Sequence, residues 1–430
     1  MTEDFLHYIW RYGLFTPLST KTMRDIEVLD PGEPNRDSGP DFFNARIRTG
    51  ELILAGNVEI HINASDWIKH GHGSDKAYDS VVLQLVLNND ADVRRTSGEI
   101  IPTAELRFDQ RLHDNYKQLI NNTFWIACEP FIRAVEASVI KNWIEEQSYR
   151  RLERKSAIIL KMFRNNRNDW QETFYQQLAR NFGFRLNGWA FEMLARSLPL
   201  KILLRHRDNL CHLEAMLFGQ AGFLEAEDGD NYYQTLKNEY HFLQNKYRLK
   251  PLEKHLWRFL RLRPANFPSL RIAQFASFIH RTPGFFASAI EKKDMETLSE
   301  FFRVSASGYW DNHYIFGKYS EKSVKTTGLF AIRSIIINTV VPFLYFYGNY
   351  RKISEIATRG VNFLKEMPPE NNSLISRWKS IGITPDSAFS SQGLLQQKSE
   401  ICSYRKCLFC GIGSHIIKNT SCNGQFPVNG

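Results

Sequence analysis

The residues with the strongest chemical potential crowd into one short part of the chain. In "GNVEIHINASDW" (Gly56–Trp67) the period-two spacing places Glu59 and His61 on one face and Val58, Ile60 and Ile62 on the other. Asp66, His70, His72 and Asp75 follow at once in "DWIKHGHGSD", and Asp41 in "SGPDF" lies 18 positions before Glu59. A hairpin across that interval would set two carboxylates side by side. Two carboxylates joined by a peptide carbonyl suit Mg²⁺ or Mn²⁺, which prefer oxygen ligands. His70 and His72, with His61 and either Asp66 or Asp75, form a second set suited to a transition metal with an open coordination position. The plainer alternative is that these groups are solvated positions on the wet face of a sheet.

Two further groups of residues carry chemistry. Cys402, Cys407, Cys410 and Cys422 lie near the C-terminus in "CSYRKCLFC" and "TSCNG". The Cys407-Leu-Phe-Cys410 pair is half of a zinc or iron–sulfur site, and Cys402, Cys422 or His415 could complete four ligands. Packed, reduced thiols are the alternative. In "WRFLRLRPANFPSLRIAQFA" (Trp257–Ala276), Arg258, Arg261, Arg263 and Arg271 surround aromatic residues, a composition that fits phosphate contact and base stacking. The same segment reads as a helix–loop–helix joint, with Pro264 and Pro268 as its punctuation. No P-loop, G-x-G-x-x-G or G-x-S-x-G pattern occurs.

The elements that must position these residues divide the chain of 430 residues. Residues 1–120 read as an α+β unit: a first helix, a strand near Ile26–Leu29, and a Pro/Gly/Asp-rich loop. A hairpin of Phe42–Arg48 with Leu52–Ile62 follows, then a buried strand at Ser80–Leu87 and another strand at Ile101–Phe108. Residues 121–395 follow the helical period, and 396–430 form a short cysteine-rich tail. Residues 1–120 carry 13 Lys and Arg against 19 Asp and Glu, while the remainder carries 42 against 27. An acidic first part and a basic remainder fit a cation-binding centre joined to a polyanion-binding body. No secretory plan appears at the start, and the longest apolar run, "SIIINTVVPFLYFYG", is shorter than a spanning helix and contains Pro342. A cytoplasmic protein that does not enter a membrane is expected.

The helix–three strands–helix–strand order, with Pro40-Asp41 and Glu59-Ile60-His61, resembles the PD-(D/E)xK nuclease superfamily. That resemblance implies a small restriction-endonuclease-like sheet with Asp41 and Glu59 on the metal. His61 stands at the water-orienting position where that superfamily has Lys, with Glu3 as an auxiliary acid and Asp66, His70 and His72 in support. Separately, "NRDSGPDFFNARI", "GNVEIHINASDWIKHGH", "EAMLFGQAG", "RLRPANFPSLRIAQFA" and "CLFCGIG" resemble, over nearly the whole chain, the bacterial family called domain of unknown function two-eight-five-one, common in Bacteroidetes. Gln84, in "VVLQLV", stands where that family leads one to expect His. The expectation is a Mg²⁺- or Mn²⁺-dependent nuclease. The alternative is a non-catalytic nucleic-acid-binding or scaffold protein with a structural metal at its cysteines.

Overall fold

A computed structural model describes residues 1–35 and 37–419. They form two compact units, Met1–Trp143 with the chain from Gln397 onward, and Ile144–Gln396. The chain leaves the first unit and returns to it, so the expected boundaries at 120 and 396 move to 143 and 397.

In the first unit, α1 (Glu3–Arg11) buries Phe5, Leu6, Ile9 and Trp10, which helical spacing gathers on one side. A mixed sheet follows: β1 (Glu27–Asp30), β2 (Glu33–Pro34), β3 (Phe42–Thr49), β4 (Leu52–Asn63), β5 (Val81–Asn88) and β6 (Thr103–Glu105). Its order is β1-β3-β4-β5-β6, with β2 on the other end of β3. β3 and β4 are antiparallel, closed by a turn with Gly50 at φ 58°. β4–β5 and β5–β6 are parallel. A parallel neighbour demands a crossover, which here is α2 (Asp66–Lys69) and two single helical turns, His72–Ser74 and Lys76–Tyr78. All the histidines and aspartates of the "DWIKHGHGSD" segment therefore ride on that crossover.

Two local irregularities shape the sheet beside them. Between the pairs Phe42↔Val58 and Ala45↔Gly56, β3 carries one extra residue, with Asn44 at φ 58°. Such a bulge re-aims neighbouring side chains. Gly56 is required by close approach, because a Cβ there would fall 2.3 Å from Val82 Cγ1 and 2.7 Å from the Ser80 carbonyl oxygen.

The first unit is completed by α3 (Gln110–Ile120) and the returning segment. Asn115 Nδ2 donates to the Ile417 carbonyl at 3.0 Å, and Tyr8 Oη lies 3.0 Å from Ser414 Oγ. Residues 397–419 are therefore an integral layer of this unit rather than a separate tail. Cys422 lies outside the described residues.

The second unit is helical apart from a short hairpin, His313–Ile315 with Lys318–Tyr319. It receives α4 (Ala137–Asn165) from Ile144 onward. Its apolar core is rich in aromatics, among them Phe174, Tyr175, Phe182, Phe191, Phe218, Phe275 and Phe278. Helix starts are fixed by side-chain caps: Asp169 accepts from the Glu172 N–H, Asp230 from Tyr233 and Asn209 from His212. One helical stretch, Leu329–Arg351, is long and apolar enough to cross a membrane by length and composition, contrary to the run-length reading of the sequence. Of its apolar window 67% is buried inside the protein, as in a core helix.

Candidate metal centre

Alternation along β4 places Glu59 and His61 together as expected, but not on a wet face. Their exposures are 5% and 2%, because β5 and the crossover cover that side of the strand. The crossover then folds its own histidines back over β4. Gly71, in the left-handed region at φ 75°, turns the chain between His70 and His72. His61, His70 and His72 each offer a ring nitrogen, and the three nitrogens lie within 4.8 Å of one another. His61 Nε2 is 3.3 Å from His70 Nδ1. Glu59 Oε1 is 3.4 Å from His61 Nε2 and 3.4 Å from His72 Nε2. The three imidazoles thus converge on one point, with the Glu59 carboxyl against two of them.

The surroundings hold the rings in place. Tyr78 stacks on His72 at 3.8 Å between centroids, and Trp67 stands edge-on to both His61 and His72. Trp67 is itself pinned by its indole N–H, which donates to the Arg94 carbonyl at 3.1 Å. Gln84, which the sheet register sets opposite Glu59, is fully buried, with Nε2 3.2 Å from His61 Nδ1. Thr103 Oγ1 donates to Gln84 Oε1 at 3.0 Å. Gln84 therefore orients the His61 ring rather than joining the ring nitrogens.

Asp41 arrives beside this cluster through the β3 bulge. Its backbone N–H donates to Glu59 Oε2 at 3.0 Å, while its Oδ2 accepts from the Ile60 N–H at 2.9 Å. His7 Nε2 lies 3.2 Å from the same Oδ2. Glu3 sits one helical turn before His7 on α1, and both feel the Asp41 charge.

The electrostatics follow from burial. Burial, reinforced by the Asp41 carboxylate, pushes the Glu59 carboxyl up to about 9. Burial and the neighbouring His72 and His70 push His61 down to about 4. His72 is lowered by burial and by His70. His7 moves the other way: burial opposes its charge, but the hydrogen bond and the charge of Asp41 outweigh it and raise the group. Glu3 is raised by burial and by Asp41. Burial thus favours the neutral forms of His61, His72 and Glu59, and neutral imidazoles are the form in which histidine can donate to a metal.

The remaining expected residues divide sharply. Asp66 is spent locally: Oδ2 accepts from the Asn63 N–H at 3.0 Å and Oδ1 meets Lys69 Nζ at 2.6 Å. Asp75 caps the following turn by accepting from the Ala77 N–H at 2.9 Å. Neither belongs to the converging group. Arg258, Arg261 and Arg263 are exposed, but Arg271 is 5% exposed and is not a phosphate contact. Its guanidinium donates to Gln274 Oε1 at 2.9 Å and Asn266 Oδ1 at 2.7 Å and lies over the Phe184 ring. Trp257 is likewise buried, its indole N–H donating to the Ala221 carbonyl at 2.8 Å, so it offers no stacking face. Cys402, Cys407 and Cys410 are brought together in the first unit. His415 Nδ1 faces Asn419 Nδ2 at 3.3 Å.

One neighbour of the cluster escaped the sequence reading: His7, which was detectable, since it lies four residues after Glu3 on an amphipathic helix.

A family model described as "protein of unknown function (DUF2851)" matches residues 3–373. The chain belongs to this family. The matched span includes every residue of the histidine–carboxylate cluster in this DUF2851 chain. No curated protein and no solved structure matches it.

Proposed function

We propose that this DUF2851 protein is a divalent-metal-dependent phosphodiesterase that acts on nucleic acid, with the metal held by His61, His70, His72 and Glu59. The observation that carries the reading is the convergence of three ring nitrogens within 4.8 Å, with Glu59 Oε1 3.4 Å from two of them. Nitrogen donors outnumber oxygens, which favours Mn²⁺ or another first-row cation such as Zn²⁺ over Mg²⁺. A cation there supplies Lewis-acid activation of water and of a phosphoryl oxygen.

The chain's own groups do the rest. Glu59 would hold such a cation as a carboxylate, its proton released to solvent. His61, held neutral and weakly basic, is a ligand rather than the proton acceptor that its position in the sequence implied. Were His61 to ligate through Nε2, its proton would sit on Nδ1, and Gln84, turned to present Oε1, would accept it. Asp41 favours the protonated form of His7, which makes His7 the group suited to protonate a leaving alkoxide. The basic balance of residues 121–430 supports a polyanionic substrate.

A second reading, a non-catalytic nucleic-acid-binding protein, draws on the exposed Arg258, Arg261 and Arg263. Incubation of single- and double-stranded DNA and RNA with Mn²⁺, Zn²⁺ or Mg²⁺ separates the two. Cleavage that needs Mn²⁺ or Zn²⁺ and disappears in Glu59→Gln supports the enzyme. Salt-sensitive binding by the metal-loaded protein, without cleavage of any of the four, overturns it.

A further inference from the structure

We infer that the first unit holds a second, independent site: an iron–sulfur cluster ligated by Cys128, Cys402, Cys407 and Cys410. Three of these thiols come from one short run, Cys402–Cys410, which the chain winds into two single helical turns ahead of the helix Gly411–Asn419. Cys128 comes from the loop after α3, 274 positions earlier than Cys402. That loop, and the end of α3 before it, are tied to the returning segment. Lys398 Nζ donates to the Trp125 carbonyl at 2.8 Å, and Arg405 Nη1 donates to the Ile120 carbonyl at 2.9 Å.

The pocket is built around its sulfurs. Trp143 Nε1 donates to Gln397 Oε1 at 2.9 Å, fixing that amide. Gln397 Nε2 then lies 3.3 Å from Cys402 Sγ and 3.3 Å from Cys410 Sγ, one donor shared between two thiols. The backbone N–H groups of Ile412 and Gly413, at the start of the last helix, also face the Cys410 sulfur. Gly413 is glycine for a reason, since a Cβ there would sit 2.3 Å from the Cys407 carbonyl oxygen. Cys128, Cys407 and Cys410 are buried, and Ile126, Ala127, Ile401 and Leu408 supply an apolar shell. All four thiols are unpaired with one another as disulfides.

An apolar pocket has no reason to aim N–H donors at thiols, which accept weakly; it has reason to aim them at thiolates. Cys128 feels the charge of all three other cysteines, so the four form one electrostatic group. Four buried thiolates require a compensating cation or cluster. Spacing decides between the two. Tetrahedral zinc, with Zn–S of about 2.3 Å, draws its sulfurs to roughly 3.8 Å from one another. Among the described residues the three histidine nitrogens lie within 4.8 Å of one another, and these sulfurs, taken three at a time, stand further apart than that. A cluster puts a different iron behind each thiolate or pair of thiolates and so spreads them. N–H donors to the sulfurs, apolar cover and four thiolates are the means by which a protein holds and tunes such a cluster. Because it joins Cys128 to the returning segment, the cluster also fastens the last described helix onto the first unit.

The test uses the full chain, purified without oxygen and reconstituted with ferrous iron and sulfide. Equal amounts of iron and acid-labile sulfide, with the broad visible absorption of thiolate-bound iron, are expected. Cys128→Ser should lose most of both, whereas Cys422→Ser and Cys211→Ser should keep them. Gln397→Met should keep the cluster and shift its reduction potential, a change that mere misfolding would not give. Stoichiometric zinc without sulfide in the wild-type protein would overturn the proposal. So would a cluster that survives Cys128→Ser and is lost in Cys422→Ser. Histidine-site variants such as Glu59→Gln leave these readouts unchanged, so the two sites fail separately.

Discussion

Buried charge is handled in opposite ways at Arg271 in the helical unit and at Glu59–His61 in the sheet unit. Arg271 is largely met by its neighbours: Gln274 and Asn266 accept from its two terminal nitrogens and Phe184 lies beneath its plane, which leaves Nε as its one buried donor without a partner among the described residues. Burial lowers it only to about 10, so it remains charged. Glu59 and His61 sit among groups that make matters worse for their charged forms, a second carboxylate for one and two imidazoles for the other. Burial alone therefore marks neither a site nor a strut. The mark of a site is burial whose missing compensation a single added ion would supply.

The contrast can be broken most forcefully at the ligands. Glu59→Gln or His61→Ala should lower Mn²⁺ or Zn²⁺ affinity by more than about 100-fold, measured by calorimetric titration. Affinity undiminished in both variants would remove the metal centre. In the helical unit, Arg271→Ala should cost about 2–3 kcal/mol in denaturant unfolding while leaving metal affinity unchanged. Loss of nucleic-acid affinity with no loss of stability would make Arg271 a contact after all.

The pH dependence of the metal-free protein sharpens the same difference. The folded Glu59 carboxyl is raised to about 9 from 4.5, so its proton stabilises the fold fully below 4.5, and that contribution is lost as pH rises toward 9. His61, depressed to about 4 from 6.5, works oppositely, adding stability as pH rises from 4 to 6.5. Above pH 6.5 only the Glu59 slope remains of the two, a fall of at most about 1.4 kcal/mol per pH unit. Thermal melts in chelator between pH 6.5 and 8.5 should show it, and both Glu59→Gln and added metal should flatten it. A slope unchanged in Glu59→Gln would contradict the assignment.

Smaller effects probe the supporting layers. Gln84→Leu removes the partner of His61 Nδ1 and should weaken metal binding by about tenfold in the same titration. Joint replacement of Arg258, Arg261 and Arg263 by Ala should reduce the salt dependence of nucleic-acid binding, by up to about one unit of slope per arginine, without altering stability. An unchanged slope would place the polyanion contact elsewhere.

Much of the strand framework was legible because each strand announces itself locally. The period-two run of β4, the hairpin turn at Gly50 and the apolar run of β5 were all placed within a residue or two of where they occur. The hairpin that carries Asp41 toward Glu59 was legible for the same reason, but its register was not: the turn alone would set Asp41 against Ile60, and the extra residue in β3 shifts it onto Glu59. The wet face was not, because nothing in β4 tells that the crossover folds back over it. Arg271 illustrates the converse failure: an arginine among aromatics looks identical in sequence whether its partners are phosphates or a buried amide and a ring.

The sequence by itself determined the α+β character, the family, the alternation that pairs Glu59 with His61, and the change from acidic to basic composition. These follow from nearest neighbours and periodicity, which the chain carries in its own order. Only the tertiary structure decided that Gln84 holds His61, that His7 meets Asp41, that Asp66 is spent on Asn63 and Lys69, and that Cys128 rather than a nearby residue stands with Cys402, Cys407 and Cys410. Those meetings join residues from separate elements, and their distances depend on packing and loop closure across the whole unit, for which local spacing contains no term.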